Sequence, residues 1–263
     1  MTVTVHAEWT KMRTVPSTAW ALLVLVVATV GVGSWAAWGI DPFYCPLPRP
    51  DCDVDTARTT LTGVIVGQVG VVLLAVLMVT PEFSTGMLRT TLAAVPNRLR
   101  VVTAKVGALT AAVLVAAALA VSGSMAAGRV VLPGHGFTPA NGYPPLSLAD
   151  EPTRRAYVGS VLYLGLVALL SFGVSLAVRH TGAAIATVIG LLYVVPIVSA
   201  VVNDPRWAEW MQKLSPMTAG LAVQATKRMD ALPIGPWAGL GVLAAWATGA
   251  LLMGTVLFAV RDA

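Results

Sequence analysis

The sequence is short of charge. Only 11% of its 263 residues are Asp, Glu, Lys or Arg, too few to cover the surface of a soluble domain of this length. Cysteine is scarce too: Cys45 and Cys52 are the only two, which excludes a disulfide-built scaffold. The three histidines, His6, His135 and His180, fall in separate segments. That separation gives no metal-ligand spacing, and no metal site is expected. No Gly-Lys dipeptide occurs anywhere, so the chain lacks the G-x-x-x-x-G-K-[ST] loop that cradles ATP phosphates. Internal repeats and low-complexity tracts are absent as well, and residues 1–263 read as a single domain.

What the chain has is apolar length. It is 57% hydrophobic, with a mean hydropathy of +0.79. A helix needs roughly 20 apolar residues to cross about 30 Å of hydrocarbon. Six stretches meet that length: 18–40, 60–79, 106–127, 157–178, 182–202 and 236–260. None contains Asp, Glu, Lys, Arg or His. The fold class expected is therefore all-α, a six-helix transmembrane bundle. The Gly, Ser and Thr scattered through the runs suit close helix packing, notably Gly63, Gly67 and Gly70 in the second. A membrane enzyme would need a nucleophile and base at matched depth; these hydroxyls are more simply packing groups, and no catalytic residue is expected.

An even number of spans puts both termini on one side. Lys and Arg are nearly balanced between the two sets of loops, but their density is not. Lys11 and Arg13 precede the first span, and the acidic "PDCDVD" follows it, which favours cytoplasmic termini. The net charge of +5 then reads as a topology signal, and no nucleic-acid partner is expected. Arg outnumbers Lys, consistent with a GC-rich bacterial genome. The first run is too long for a signal-peptide core and reads as a retained span. Residues 41–58, which hold both cysteines, and 128–155, with "LPGHGFTPANGYPP", become outer loops. An exported Cys45–Cys52 pair can form a disulfide; two unpaired thiols are the alternative.

Two segments outside the spans have a pattern. Residues 1–16 place Val5, Trp9 and Met12 on one side of a helix, which suits an interfacial amphipathic helix anchored by Trp9, ended by Pro16; a disordered tail is the alternative. Residues 80–105, "TPEFSTGMLRTTLAAVPNRLRVVTAK", carry Glu82, Arg89, Arg98, Arg100 and Lys105 between two apolar runs. Thr80 and Pro81 read as a cap and first turn, with Glu82 at the positive end of the new helix. Leu88, Leu92, Val95 and Leu99 form an apolar stripe, and Pro96 and Asn97 break the helix. The plainer reading is a basic loop that only sets topology.

These residues resemble a known family. "EWTKMRTVPSTAW" before a span, and "PEFSTGMLRTTLAAVPNRLRVVTAK" between the second and third, resemble the membrane (permease) subunit of bacterial type 2 ABC exporters. The likeness runs over essentially the whole chain. Its most specific part is the series Glu82, Thr85, Gly86, Arg89, Pro96, Arg98 and Lys105. The resemblance implies a bacterial plasma-membrane protein working as a homo- or heterodimer with separate ATPase subunits, which bind the ATP and Mg. It implies that 80–105 holds the cytoplasmic coupling helix that docks on the ATPase, and that 203–235 folds back as short re-entrant helices before the sixth span. It also implies a translocation pathway lined by the second and fifth spans, where Gln68, Thr187 and Tyr193 are the candidates for touching cargo and Pro196 for a kink. Helix packing is the alternative role for these four. An ion-coupled secondary transporter is the competing function, but such carriers need an ionisable relay within the membrane, which the six runs lack.

Overall fold

Long apolar runs close their backbone hydrogen bonds internally when water is excluded, and helix is the state that does so within one segment. The computed structural model describes residues 10–11, 14–40, 54–87, 90, 93 and 97–260. It is 85% helix with no strand among the described residues. Six helices are long and apolar enough to span a membrane: α1 (Pro16–Trp38), α2 (Thr56–Ser84), α3 (Arg98–Gly134), α4 (Glu151–Val178) and α5 (Thr181–Val201), then the last before the C-terminus (Pro236–Val260). Two short helices, α6 (Pro205–Leu214) and α7 (Pro216–Leu221), precede that last one, which is α8.

The helices outrun the apolar stretches that mark them. Helix α2 starts at Thr56, where Asp55 accepts from the Arg58 amide (2.9 Å), and passes through a tight turn at Leu61–Gly63. Helix α3 begins at the Asn97 cap, whose side chain accepts from the Arg100 amide (3.1 Å). It runs on to Gly134, so residues 128–134, expected in an irregular loop, are helical, as are 151–155 at the start of α4. A helix ends where its ladder loses partners, and polar flanks with good caps extend it beyond the hydrocarbon.

Thr80 and Pro81 do not open a new helix, contrary to the sequence expectation. The Thr80 hydroxyl bonds back to the Val76 carbonyl (3.0 Å), and α2 continues to Ser84. Pro81 has no N–H for the Leu77 carbonyl, so the ladder is interrupted one turn before the helix ends, and the Ser84 and Thr85 hydroxyls both donate to the Pro81 carbonyl (3.0 and 2.7 Å). Gly86, at φ +69°, takes the left-handed position that terminates many helices. Leu99, assigned to the bundle-facing stripe, is 60% exposed on the first turn of α3.

Helices α2 and α4 form the buried centre; α1, α5 and α8 are the most exposed. Tyr163 and Phe172 of α4 are the largest fully buried side chains. Glycine sets how closely α1 meets α2. A Cβ on Gly63 would overlap the Thr29 carbonyl oxygen, one on Gly67 the Thr29 hydroxyl, and one on Gly70 would sit 2.8 Å from the Ala21 carbonyl oxygen. Gly173 and Gly254 perform the same service between α4 and α8, each occupying space against the other helix's backbone.

In α5 the ladder widens to i→i+5 over Gly190–Val194, just before Pro196. Proline has no N–H for the carbonyl four residues back, and this wide turn absorbs the defect. Beyond α5 the chain folds back into the bundle. The Trp246 indole of α8 donates to the Leu214 carbonyl at the end of α6 (3.0 Å). Met217 of α7 reaches Gln68 of α2, Val223 fills the space beside Gly159 of α4, and Arg155 donates to the Ala225 carbonyl (2.7 Å). Asp55 then takes the amides of Thr226 and Lys227. From Met217 to Lys227 the contacts step back along α2 from Gln68 to Asp55 and along α4 from Gly159 to Arg155. Gln68, thirteen residues along from Asp55, lies about 20 Å from that end at 1.5 Å per residue.

Candidate functional site

Charge collects at the end of the bundle where α2 stops and α3 starts. Glu82 is 4% exposed, and its carboxylate receives the Lys105 ammonium (2.7 Å) and that of Lys11. Both Glu82 and Lys105 are held within the fold, whereas Lys11 is about a third exposed. Nearby, the Thr80 and Thr181 hydroxyls share a hydrogen bond (2.7 Å), tying α2 to the start of α5.

The C-terminus of α8 belongs to the same end. Arg98 donates to the Phe258 and Ala259 carbonyls (3.0 and 3.1 Å), and Arg179 to that of Leu257 (3.3 Å). Two guanidinium groups thereby meet the negative end of a helix, an arrangement favoured by hydrogen bonding and by the helix dipole. Phe83 stands edge-on to Phe258 (6.1 Å between centroids), and Arg179 lies 5.0 Å from the centre of the Phe83 ring. Five elements thus converge on one base, and the segment between α2 and α3 springs from it. Met87, Thr90 and Ala93 in that segment are helical. Arg89 and Pro96 lie outside the described residues, as do Cys45, Cys52, Trp9 and the rest of residues 1–9.

The series taken from sequence therefore divides. Glu82 and Lys105 pair with each other, Arg98 clamps α8, and Thr85 and Gly86 end α2. The signal for Glu82's partner was Lys105 itself, a cation at the start of the next span. Sequence reasoning passed over Arg179 and Phe258, whose partners are distant in the chain.

Gln68 is fully buried. Its amide oxygen accepts from the Tyr163 hydroxyl and its amide nitrogen donates to the Met217 sulfur (3.5 Å), joining α2, α4 and α7. The Tyr193 hydroxyl donates to the Ile65 carbonyl and so binds α5 to α2. Thr187 lines a separate apolar groove of about 710 Å³. The walls of that groove are Leu170 and Val174 of α4, Thr187 and Leu191 of α5, and Trp246 and Met253 of α8, with Leu214 at one end. The Tyr193 hydroxyl also stands within hydrogen-bonding reach of the Gln68 side chain, so two of the three cargo candidates come together, whereas neither lines the groove that holds Thr187. Among the described residues, no group of His, Cys, Asp and Glu could hold a metal ion.

The fold defines a class, that of multi-pass helical membrane proteins. No protein-family model and no curated protein matches the chain.

Proposed function

We propose that this chain is the permease subunit of an ATP-driven exporter of the type 2 ABC kind, working as a homo- or heterodimer in the bacterial plasma membrane. It couples to separate ATPase subunits, which carry the ATP and Mg. The observation that carries the reading is the braced base under the segment between α2 and α3. An ATPase outside the membrane must push on the spans through a short connection, and force is transmitted only if that connection is rooted in packed helices. Glu82 with Lys105, and Arg98 with the end of α8, supply such a root. In this reading the termini and residues 80–105 are cytoplasmic, and the segment holds the coupling helix. Arg89 on it is the group offered to the ATPase, while Glu82 braces the helix from behind. Residues 203–235 form a re-entrant hairpin entering from the outer face.

The test is reconstitution with the partner ATPase in sealed vesicles. Export of cargo is expected with ATP in the presence of an uncoupler. Efflux by this chain alone, driven by an imposed pH gradient, would contradict the reading. One observation speaks for the ion-coupled alternative. The Glu209–Lys213 pair (2.6 Å) is an ionisable pair on α6, the helix whose end meets Trp246 of α8. A secondary transporter would lose its gradient-driven flux in Glu209→Gln, whereas ATP-driven export should survive that change.

A further inference from the structure

The groove between α5 and α8 has a chemistry of its own. Of its two polar side-chain groups, the Thr187 hydroxyl already donates to the Ala183 carbonyl (2.8 Å). The Trp246 indole at its upper end is likewise engaged with the Leu214 carbonyl. An occupant therefore finds no directional partner inside and must be hydrocarbon. Trp246 and Met253 are 43% and 55% exposed, so the groove opens sideways rather than being enclosed.

Its position is as telling as its lining. From Val242 to Met253 the α8 wall rises by eleven residue steps, about 16 Å of helix. That is close to one leaflet's half of a hydrocarbon core about 30 Å thick. Leu214 and Trp246, with Val242 one turn beyond, form the closed end of the groove near the level of Gln68, in the middle of α2's apolar run. The other end points toward the bundle end that holds Lys11, Lys105, Arg98, Arg100 and Arg179, where Glu82 is the lone described acid and is already paired with two lysines. Arg179 follows the last residue of α4, five positions beyond the wall residue Val174, and bonds the Leu257 carbonyl of α8, four positions beyond the wall residue Met253.

We infer that this groove is a lipid site, holding one acyl chain of an anionic phospholipid from the leaflet on the Glu82 side. The chain runs up to the Leu214–Trp246 stop, and the phosphate lies against the basic end near Arg179. Apolar walls select a chain; the excess of cations at the mouth selects the headgroup. The inference stands apart from the exporter reading and holds whether or not the protein uses ATP.

Gly249 offers the means of testing it. It lines the groove, and a Cβ placed there meets nothing within 4 Å. Gly249→Leu therefore fills the site without pressing on the fold, and Ala245→Leu, also on the wall, serves as a second plug. Both variants and the wild type are extracted in mild detergent from membranes containing phosphatidylglycerol and phosphatidylethanolamine. Native mass spectrometry then counts the phospholipids retained, and size-exclusion chromatography records oligomeric state. The wild type is expected to keep one more phospholipid per chain than either plug variant, enriched at least threefold in phosphatidylglycerol over the bulk membrane. Equal retention by all three proteins overturns the site. Retention without headgroup preference overturns the anionic assignment. A plug that instead dissociates an oligomer shows that the groove faces a second copy of the chain, which also overturns it.

Discussion

Glu82 illustrates how a single carboxylate can hold a membrane protein's end together. Removing Lys105 leaves a buried acid with only the partly exposed Lys11, and breaking a buried ion pair from one side costs about 3 to 5 kcal/mol. Losing Lys11 costs far less, about 1 kcal/mol or below, because that side chain already meets solvent and Lys105 remains. The expected order of thermal stability in detergent is wild type, then Lys11→Met slightly lower, then Lys105→Met well below. Glu82→Gln combined with Lys105→Met should recover much of the loss, since it removes both charges at once. Equal midpoints for the two single lysine variants would contradict the geometry. Gln68 makes the same point for neutral groups. It was the most polar residue of its span and hence a natural candidate for cargo, yet Tyr163 and Met217 consume its amide.

Between helices, glycine decides how near two backbones come. Gly63→Ala would press a methyl onto the Thr29 carbonyl, and Gly254→Ala onto that of Gly173. Overpacking of this kind costs about 1 to 3 kcal/mol, more than the roughly 0.5 to 1 kcal/mol that alanine gains in helix propensity. Gly107→Ala, where a Cβ meets open space, should be neutral or stabilising. Unfolding midpoints of the three variants test this, and a stabilised Gly63→Ala would refute the close seam. Helix α6 carries a second expectation. It has no buried residue; Trp207, Trp210 and Leu214 are exposed along one stripe, while Glu209 and Lys213 pair on another. A charge facing lipid at that depth costs roughly 2.5 to 3.5 kcal/mol, so the charged stripe should face water. In the orientation proposed above, cysteine at 209 or 213 is expected to react with a membrane-impermeant maleimide from the outer side, and cysteine at 207 or 214 to stay unlabelled. Protection of 213 would show that the stripe is covered. The existence of the six spans was legible in the sequence because apolarity is a local property of each run. Their ends were not, because caps such as Asn97 and the carbonyl-bonding hydroxyls of Ser84 and Thr85 carry helix beyond the apolar residues. Nor were the α4–α8 contacts at Gly173 and Gly254, because nothing local tells a packing glycine from an idle one.

For the whole molecule, the question is which charges face inward and which face a partner. Glu82 faces inward, so Glu82→Arg places a third cation between Lys11 and Lys105 and should damage folding before it can affect any docking. Arg98 also faces inward, through the Phe258 and Ala259 carbonyls. Of the other charges in residues 80–105, Arg100 is exposed at the start of α3, and in the exporter reading Arg89 is the contact with the ATPase. Losing one partner of a buried charged pair at an interface costs about 2 to 5 kcal/mol, enough to separate two subunits at ordinary concentrations. Arg89→Glu is therefore expected to insert, fold and dimerise normally, to abolish transport, and to lose the ATPase on co-purification. Arg98→Ala should instead lower thermal stability while keeping the ATPase, because it loosens the end of α8 and leaves the docking residue in place. The two variants separate bracing from docking in one experiment, with protease mapping to verify orientation. If Arg89→Glu protein, correctly oriented, still binds the ATPase and transports, the segment between α2 and α3 is a topological loop and the coupling must run through another part of the chain.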